Sequence, residues 1–184
     1  YPSDIDSKKI KLVHHGATNP SRKIELMIEM MSFLPSNYTL YLMLMDSNLE
    51  YFNTLKANES ERIIFVPTVP TKDIPHEINK YDIGVYIMPY SNFNEEYALP
   101  NKFFEYVQAR LAIAIGPTKE MEVITNKHEL GVVSKSFKPE DLAQEILSLS
   151  AEDILRFKSN SNTAARHLST DSYYKVLTDK ITQL

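Results

Sequence analysis

The chain has 184 residues, and its content of 43% hydrophobic and 24% charged residues is that of an ordinary globular domain with a real core. A net charge of −4 gives no reason to expect a nucleic-acid partner, and the absence of cysteine excludes disulfides and thiolate metal sites. No apolar run approaches the ~20 residues of a membrane span, and the cysteine-free composition is compatible with a reducing, cytoplasmic compartment.

The start of the chain, Tyr-Pro-Ser-Asp, has neither a methionine nor a signal-like segment. We therefore expect a piece of a longer protein, entered through a linker at residues 1–8. One domain should follow over residues 9–168, and a C-terminal helix over residues 169–184. No repeat or low-complexity tract interrupts this order.

Strand and helix patterns alternate along the first half of the chain. Asn19 is a plausible N-cap, with Pro20 at the first position of the helix that follows. The apolar spacing predicts strands at 10–15, 38–45, 62–67 and 82–88, and helices at 20–34, 48–58 and 71–80.

The second half continues the alternation after a polar loop at 89–99. It predicts a helix opening at Pro100, a strand at 111–115, a helix to about 125 and a strand at 131–133. Three further helices should follow. Pro139 opens the first, Ser150 opens the second with Asp153 in a capping box, and Thr170 or Asp171 opens the third. This pattern predicts a doubly wound, Rossmann-like parallel sheet of about six strands, with helices on both faces and a helical C-terminal tail. Ligands of such sheets bind beyond the carboxyl ends of the strands.

The stretch 99–111 contains the most distinctive pattern. Pro100 suits a helix start, and the free N–H groups behind it favour an anion such as a phosphate. Lys102 and Glu105 can share one side of this helix, where a cation and a carboxylate could hold a phosphate and a sugar hydroxyl, while the core would take Phe103, Phe104 and Val107. A buried helix with a surface Lys–Glu pair is the more ordinary interpretation, and this stretch alone favours it.

Taken in order, these segments resemble the C-terminal, donor-binding domain of a GT-B glycosyltransferase, an enzyme with two facing Rossmann-like domains, of the group 1 or family 4 type. The resemblance covers nearly all of residues 8–168, and its strongest segment is Pro-Asn-Lys-Phe-Phe-Glu-Tyr at 100–106. Further similarity lies in the glycine loop from Gly16 to Glu25, in the strand–turn–helix–strand block of 62–89, and in Gly-Val-Val at 131–133 before a Pro-Glu-Asp-Leu-Ala helix.

The resemblance implies roles for individual residues. Glu105 would bind the ribose of a nucleotide-sugar donor, and the base would lie against Thr68, Val69 and Pro70. The diphosphate would be bound by Gly16, by Arg22 or Lys23 in the first loop, and by Asn101 and Lys102 at the helix start. Arg22 could instead be a helix-surface charge, although its place near the strand ends favours phosphate.

Three departures from the family pattern stand out. Tyr97 occupies the place of a second, sugar-contacting glutamate, so either Glu96 serves after a loop shift or the chain belongs to the subset without that residue. Glu95 and Glu96 fit sugar contact and a solvated loop equally well. Ala17 stands where relatives often have arginine, and Arg110 and Ala112 where glycine and proline are usual.

The remaining polar residues give weaker signals. Of the two histidines that end the first strand, His14 and His15, we expect one to pack and the other to face the cleft. The methionines fit core filling: Met27, Met30, Met31, Met43 and Met45. No His/Asp/Glu spacing argues for a metal, and the Gly-x-Gly-x-x-Gly dinucleotide fingerprint is absent, so we expect metal-free transfer without a cofactor.

The resemblance therefore implies the donor-binding half of a cytoplasmic hexosyltransferase of glycan synthesis. It would transfer a sugar from a UDP- or GDP-linked donor to a glycan, lipid-linked or small-molecule acceptor. Catalytic groups and acceptor contacts would lie largely in an N-terminal half, and this chain alone would be inactive. Peripheral membrane contact of the full-length enzyme stays open. The alternatives are a nucleotide-sugar epimerase of the same architecture and a non-catalytic binding or interaction module.

Overall fold

The computed structural model describes residues 1–6 and 8–169, so the helix expected at 170 or 171 lies outside the described residues. Six parallel strands form one sheet in the order β3-β2-β1-β4-β5-β6. Their bounds are β1 Ile10–Ala17, β2 Tyr38–Met45, β3 Ile63–Phe65, β4 Ile83–Tyr86, β5 Ala112–Ile115 and β6 Gly131–Val133. The predicted doubly wound sheet is confirmed.

Helices cover both faces of this sheet. They are α1 Glu25–Met30, α2 Leu49–Lys56, α3 Ile74–Ile78, α4 Phe93–Glu96, α5 Asn101–Gln108, α6 Lys119–Lys127, α7 Pro139–Leu147 and α8 Ala151–Ala164, with short 3-10 turns at Pro20–Arg22, Met31–Phe33 and Thr71–Asp73. The predicted capping box at the start of α8 is present, since Ser150 and Asp153 each accept the other's backbone N–H.

Two apolar cores lie on opposite faces of the sheet, because successive residues of a strand point to opposite sides. Leu12 belongs to the core that contains the apolar side chains of α1 and α7, whereas its neighbour Val13 belongs to the core that contains those of α5 and α6. Strands β4 and β5 are buried along their whole length, as expected in the middle of a parallel sheet.

The direction of winding reverses between β1 and β4. From β1 the sheet continues to β2 and β3, and from β4 it continues to β5 and β6. The carboxyl ends of β1 and β4 therefore border a crevice between the two halves of the sheet, which is where open α/β sheets bind their ligands.

The continuous helix expected at 20–34 is wrong. Lys23 has a φ of 51°, which ends the first 3-10 turn and separates it from α1. The cause is a tertiary contact: the backbone N–H of Ile24 donates to the hydroxyl of Tyr51 at 2.8 Å, and the Ile24 side chain is buried. The predicted cap is confirmed, since the Asn19 side chain accepts from the N–H of Ser21.

Smaller differences occur elsewhere. Pro100 precedes α5 instead of opening it, because its ψ of 147° is extended and Asn101 is the first helical residue. The predicted loop at 89–99 contains the short helix α4, capped by Asn92, and β3 is shorter than the predicted strand at 62–67. Met45 is 54% exposed and is not core, unlike the other four methionines of that group.

Candidate functional site

A cleft of about 420 Å³ lies at the carboxyl ends of β1, β2 and β4. Its wall combines the end of β1, the 3-10 turn at Pro20–Arg22, the segment after β3 and the first turns of α5. Predicted site residues that line it are Gly16, Arg22, Thr68, Val69, Asn101, Lys102 and Glu105. The structure thus brings together residues that are up to 89 positions apart in the sequence, from Gly16 to Glu105.

Gly16 permits a close approach of the chain to α5. Its φ of 133° is one that residues with a side chain rarely adopt, and a Cβ there would lie 3.2 Å from the Nζ of Lys102. The glycine therefore leaves space for a lysine that reaches from the first turn of α5 over the end of β1.

Lys102 is held at the bottom of the cleft by aromatic and polar neighbours. Its Nζ lies 3.3 Å from the Nε2 of His14 and 4.4 Å from the centre of the Tyr86 ring. Burial, and then the positive charge of Arg22, lower the pKa of Lys102 to about 7, and Glu105 opposes this. A second negative charge in the cleft would stabilise the ammonium.

His14 is fully buried behind this lysine. Its Nδ1 lies 3.0 Å from the carbonyl oxygen of Val85, which also accepts from the hydroxyl of Tyr106 at 3.1 Å. Because a carbonyl only accepts, Nδ1 carries the hydrogen and Nε2 offers its lone pair to Lys102. Burial, and next the charge of Lys102, lower the pKa of His14 well below its ordinary value, so the ring is neutral.

Glu105 lies one turn after Lys102 on the same side of α5 and is half-buried in the cleft. Burial raises the pKa of this carboxyl, and the charge of Lys102 partly offsets the effect. The Nε2 of His15 lies 3.5 Å from Oε2 of Glu105. Burial, followed by the charge of Lys102, lowers the pKa of His15 to about 3, so the contact joins a neutral imidazole to a carboxyl group.

Arg22 provides a second cation at the cleft. Its side chain is partly buried, and its Nη1 lies 3.0 Å from the Sδ of Met88, which also accepts from the hydroxyl of Tyr86 at 2.8 Å. Thioether sulfur is a weak acceptor, so the guanidinium remains available for a stronger one. Lys102, Arg22 and the first N–H groups of α5 give the cleft a concentration of positive charge.

The opposite wall is mainly apolar. Thr68 and Val69 line it together with Thr71 and Ile74, and the side chains of Met43 and Met45 complete it. Pro70, predicted as part of the base site, does not line the cleft. Apolar side chains in a cleft that also contains Lys102 and Arg22 suit a ligand with an apolar group at one end and an anion at the other.

Four other predicted site residues lie elsewhere. Lys23 is exposed, with its Nζ 3.9 Å from a carboxylate oxygen of Glu25. The other three lie in α4 or directly after it. Glu95 accepts from the N–H and the hydroxyl of Ser91. Lys119 forms an ion pair with Glu96 at 2.8 Å and donates to the hydroxyl of Tyr97 at 3.0 Å. None of these four side chains lines the cleft.

Sequence reasoning gave no role to Tyr86, Thr71 or Ile74. Tyr86 ends β4 and faces Lys102, and its place at the carboxyl end of a central strand was the signal available. The contacts of His14 with Lys102 and of His15 with Glu105 were also missed. Both partners lie on α5, which begins 86 residues after His15.

Within residues 1–6 and 8–169, no three or more His, Asp or Glu side chains are grouped so that they could hold a metal ion. In the same part of the chain, none of the helices has the length and apolarity needed to cross a membrane. The expectation of metal-free chemistry stays a prediction.

Solved glycosyltransferase structures share this fold. HepE of Anabaena in complex with UDP superposes with a TM-score of 0.80 at 12% identity, over 96% of this chain and 50% of that one. A variant of TarM of S. aureus, in complex with UDP and two sugar compounds, gives a TM-score of 0.74 at 13% identity, over 97% of this chain and 36% of that one.

The catalytic domain of a cholesterol-α-glucosyltransferase from Helicobacter pylori gives a TM-score of 0.65 at 11% identity, over 87% of this chain and 99% of that one. No protein-family model and no curated protein matches the sequence. The chain has the fold of the C-terminal Rossmann-like half of a GT-B glycosyltransferase, and it spans about half the length of the HepE chain.

Proposed function

We propose that this chain is the donor-binding half of a glycosyltransferase that uses a UDP- or GDP-linked, hexose-type sugar. The observation that carries the proposal is the convergence of Lys102, Arg22 and the start of α5 on one cleft that also contains Glu105 and an apolar wall. Solved neighbours that hold UDP support a nucleoside diphosphate as the ligand class.

The distances along α5 suit such a donor. Glu105 follows Asn101 by four residues, or roughly 6 Å along a helix axis. A diphosphate at the N-terminal end of α5 would therefore leave the adjoining ribose near the Glu105 carboxylate, with the base on the wall of Thr68 and Val69. Transfer would depend on holding the donor in place and neutralising the departing diphosphate.

Acceptor binding and the groups that complete catalysis are proposed to belong to an N-terminal half. Residues 1–184 alone should then bind the donor but transfer no sugar to a glycan, lipid-linked or small-molecule acceptor. Binding without transfer by a chain that contains both halves would favour the non-catalytic module instead.

Calorimetry of the chain with UDP and GDP at millimolar concentration tests the donor site. We expect weak binding of at least one of the two, and NMR shifts at the amides of Gly16, Asn101 and Glu105. Absence of both heat and shifts would disprove the donor site.

Charge removal gives a sharper test. Arg22→Ala and Lys102→Ala should each weaken diphosphate binding about tenfold or more, since a charged hydrogen bond contributes about 1.5–3 kcal/mol. The nucleoside alone should bind almost unchanged. Lys23→Ala decides between the two cations expected in the first loop, and Lys127→Ala, on an exposed lysine of α6, is the control. Equal losses for nucleoside and diphosphate would place Arg22 and Lys102 away from the phosphates.

A further inference from the structure

Two consecutive buried histidines lie in the second half of β1, and each lies beside one of the two charged side chains that α5 places at the cleft. We infer that they are positioning residues for the donor, with His14 aiming Lys102 at the diphosphate and His15 aiming Glu105 at the ribose. The inference rests on the proposed function, because it assigns the two histidines to the two halves of that ligand.

His14 is fixed in one orientation before it meets Lys102. The Val85 carbonyl takes the Nδ1 hydrogen at 3.0 Å, and the ring stacks on Tyr86 with 5.7 Å between centroids. The Nε2 lone pair then has one direction, toward the Lys102 ammonium at 3.3 Å. One N–H of the ammonium points at His14 and its positive face covers Tyr86, so a remaining N–H is directed into the cleft.

The geometry also limits the charge of this pair. A doubly protonated His14 would present an N–H to an ammonium, and no acceptor would lie between them. His14 and Lys102 therefore carry at most one positive charge between them. Because the His14 ring is neutral, that charge is on Lys102. An apolar side chain of equal size would fill the same space without directing the lysine.

His15 has the complementary arrangement. Its side chain is 4% exposed, and its buried Nε2 has no hydrogen-bond partner among the described residues. Buried polar atoms are normally paired. The Oε2 of Glu105 is 3.5 Å away, and the His15 ring meets the Tyr106 ring at 90°, so a small rotation of Glu105 would complete the hydrogen bond. Because a carboxylate only accepts, His15 must carry its hydrogen on Nε2, the opposite tautomer to His14.

The first experiment reads these tautomers in the unmodified chain. Nitrogen-15 NMR of the histidine side chains should show a protonated Nδ1 and a bare Nε2 for His14, and a protonated Nε2 for His15, with both rings neutral from pH 6 to 8. The same tautomer in both rings, or a charged ring at pH 7, would overturn the inference without any substitution.

The second experiment separates the two roles with uridine and UDP as probes, replaced by guanosine and GDP if calorimetry shows that the chain binds GDP instead. His14→Leu should weaken UDP roughly three- to tenfold and leave uridine within twofold, because only the phosphate contact is misaligned. His15→Leu should weaken uridine and UDP by the same factor, because the ribose is common to both. Gln is the matched control at each position, since its amide can accept as His14 Nε2 does and donate as His15 Nε2 does.

The outcomes distinguish the inference from the function beneath it. If Lys102→Ala and Glu105→Gln weaken UDP but the Leu variants of both histidines do not, the inference fails and the donor site stands. If Lys102→Ala and Glu105→Gln also leave binding unchanged, the proposed function fails. Equal losses in the Leu and Gln variants, without the separation between uridine and UDP, would show that the histidines only pack.

Discussion

At the scale of single residues, Lys102 makes the cleft sensitive to pH. Burial and the charge of Arg22 lower the pKa of Lys102 to about 7. A bound diphosphate would raise this pKa again, because an anion in contact with the ammonium stabilises its charged form. When the diphosphate binds above pH 7, Lys102 should therefore take up a proton from solvent. The free energy needed for this protonation increases as the pH rises.

The resulting prediction is a fall in UDP affinity between pH 7.5 and 9.5, where a terminal phosphate with a pKa of about 6 is already fully ionised. The slope should approach, and not exceed, tenfold per pH unit, and calorimetry in two buffers of different ionisation enthalpy should detect proton uptake. Lys102→Arg should flatten the profile, because guanidinium does not titrate in this range. A flat profile in the unmodified chain would show that Lys102 is fully charged before the ligand arrives.

At the scale of elements, glycines set how closely the strands and helices meet. A Cβ at Gly131 would lie 1.7 Å from the carbonyl oxygen of Ile113 in β5, and one at Gly84 would lie 2.5 Å from the ring of Tyr106 in α5. At Gly116 the obstacle is the Phe137 ring at 2.6 Å, a side chain that is only partly buried. The obstacle at Gly131 is backbone, the obstacle at Gly84 is a fully buried ring, and the obstacle at Gly116 is a ring that is able to move.

Alanine substitutions should therefore destabilise in the order Gly131, Gly84, Gly116. Overpacking of a tight interior costs about 1–3 kcal/mol, and we expect Gly84→Ala within that range, Gly131→Ala above it and Gly116→Ala below it. Urea unfolding with a common m-value gives the three free energies of unfolding. Gly116→Ala as the most damaging of the three would contradict the ranking.

At the scale of the whole molecule, Lys158 connects α8 with the N-terminal segment and with the residues just before β4. It lies in α8 and is fully buried. Its Nζ donates to the hydroxyl of Ser3 and to the carbonyl of Tyr81, each at 2.7 Å, and lies 3.8 Å from Asp82. Burial lowers the pKa of Lys158 to about 8 against the attraction of Asp82, whose own pKa is raised by burial.

Lys158→Met should lower the free energy of unfolding by about 3–5 kcal/mol, because it leaves the Asp82 carboxyl and the Tyr81 carbonyl buried without this partner. The double variant Lys158→Met, Asp82→Asn should lose less free energy of unfolding than the sum of the two single variants, because it leaves no buried charge without its partner. UDP binding at the opposite end of the sheet should be unchanged in the folded protein. Strict additivity in urea unfolding would show that the two side chains do not interact.

The features that sequence reasoning predicted correctly are those set by local chemistry. Asn19 and Ser150 cap helical turns where expected, and the apolar runs of 38–45 and 82–88 contain β2 and β4. A cap or a buried run is determined by a few neighbouring residues, so one sequence is enough to find it.

The errors arise where distant segments meet. The helix break at Lys23 follows a contact of Ile24 with Tyr51, which lies in another helix. Likewise Lys102 and Glu105 of α5 have contacts with His14 and His15 of β1 that no local pattern indicates. Periodicity and spacing describe each segment separately and carry no information about such pairings, which the tertiary structure alone determines.

The strand lengths across the sheet affect how the molecule meets copies of itself. β1 and β2, near the middle, have eight residues each, whereas the two edge strands β3 and β6 have three. The chain after β3 then passes Pro67 and Pro70, which lack the N–H that an added strand would need. The segment that contributes Thr68 and Val69 to the cleft thus also protects the edge at β3 from intermolecular pairing, so we expect replacement of its two prolines to promote aggregation.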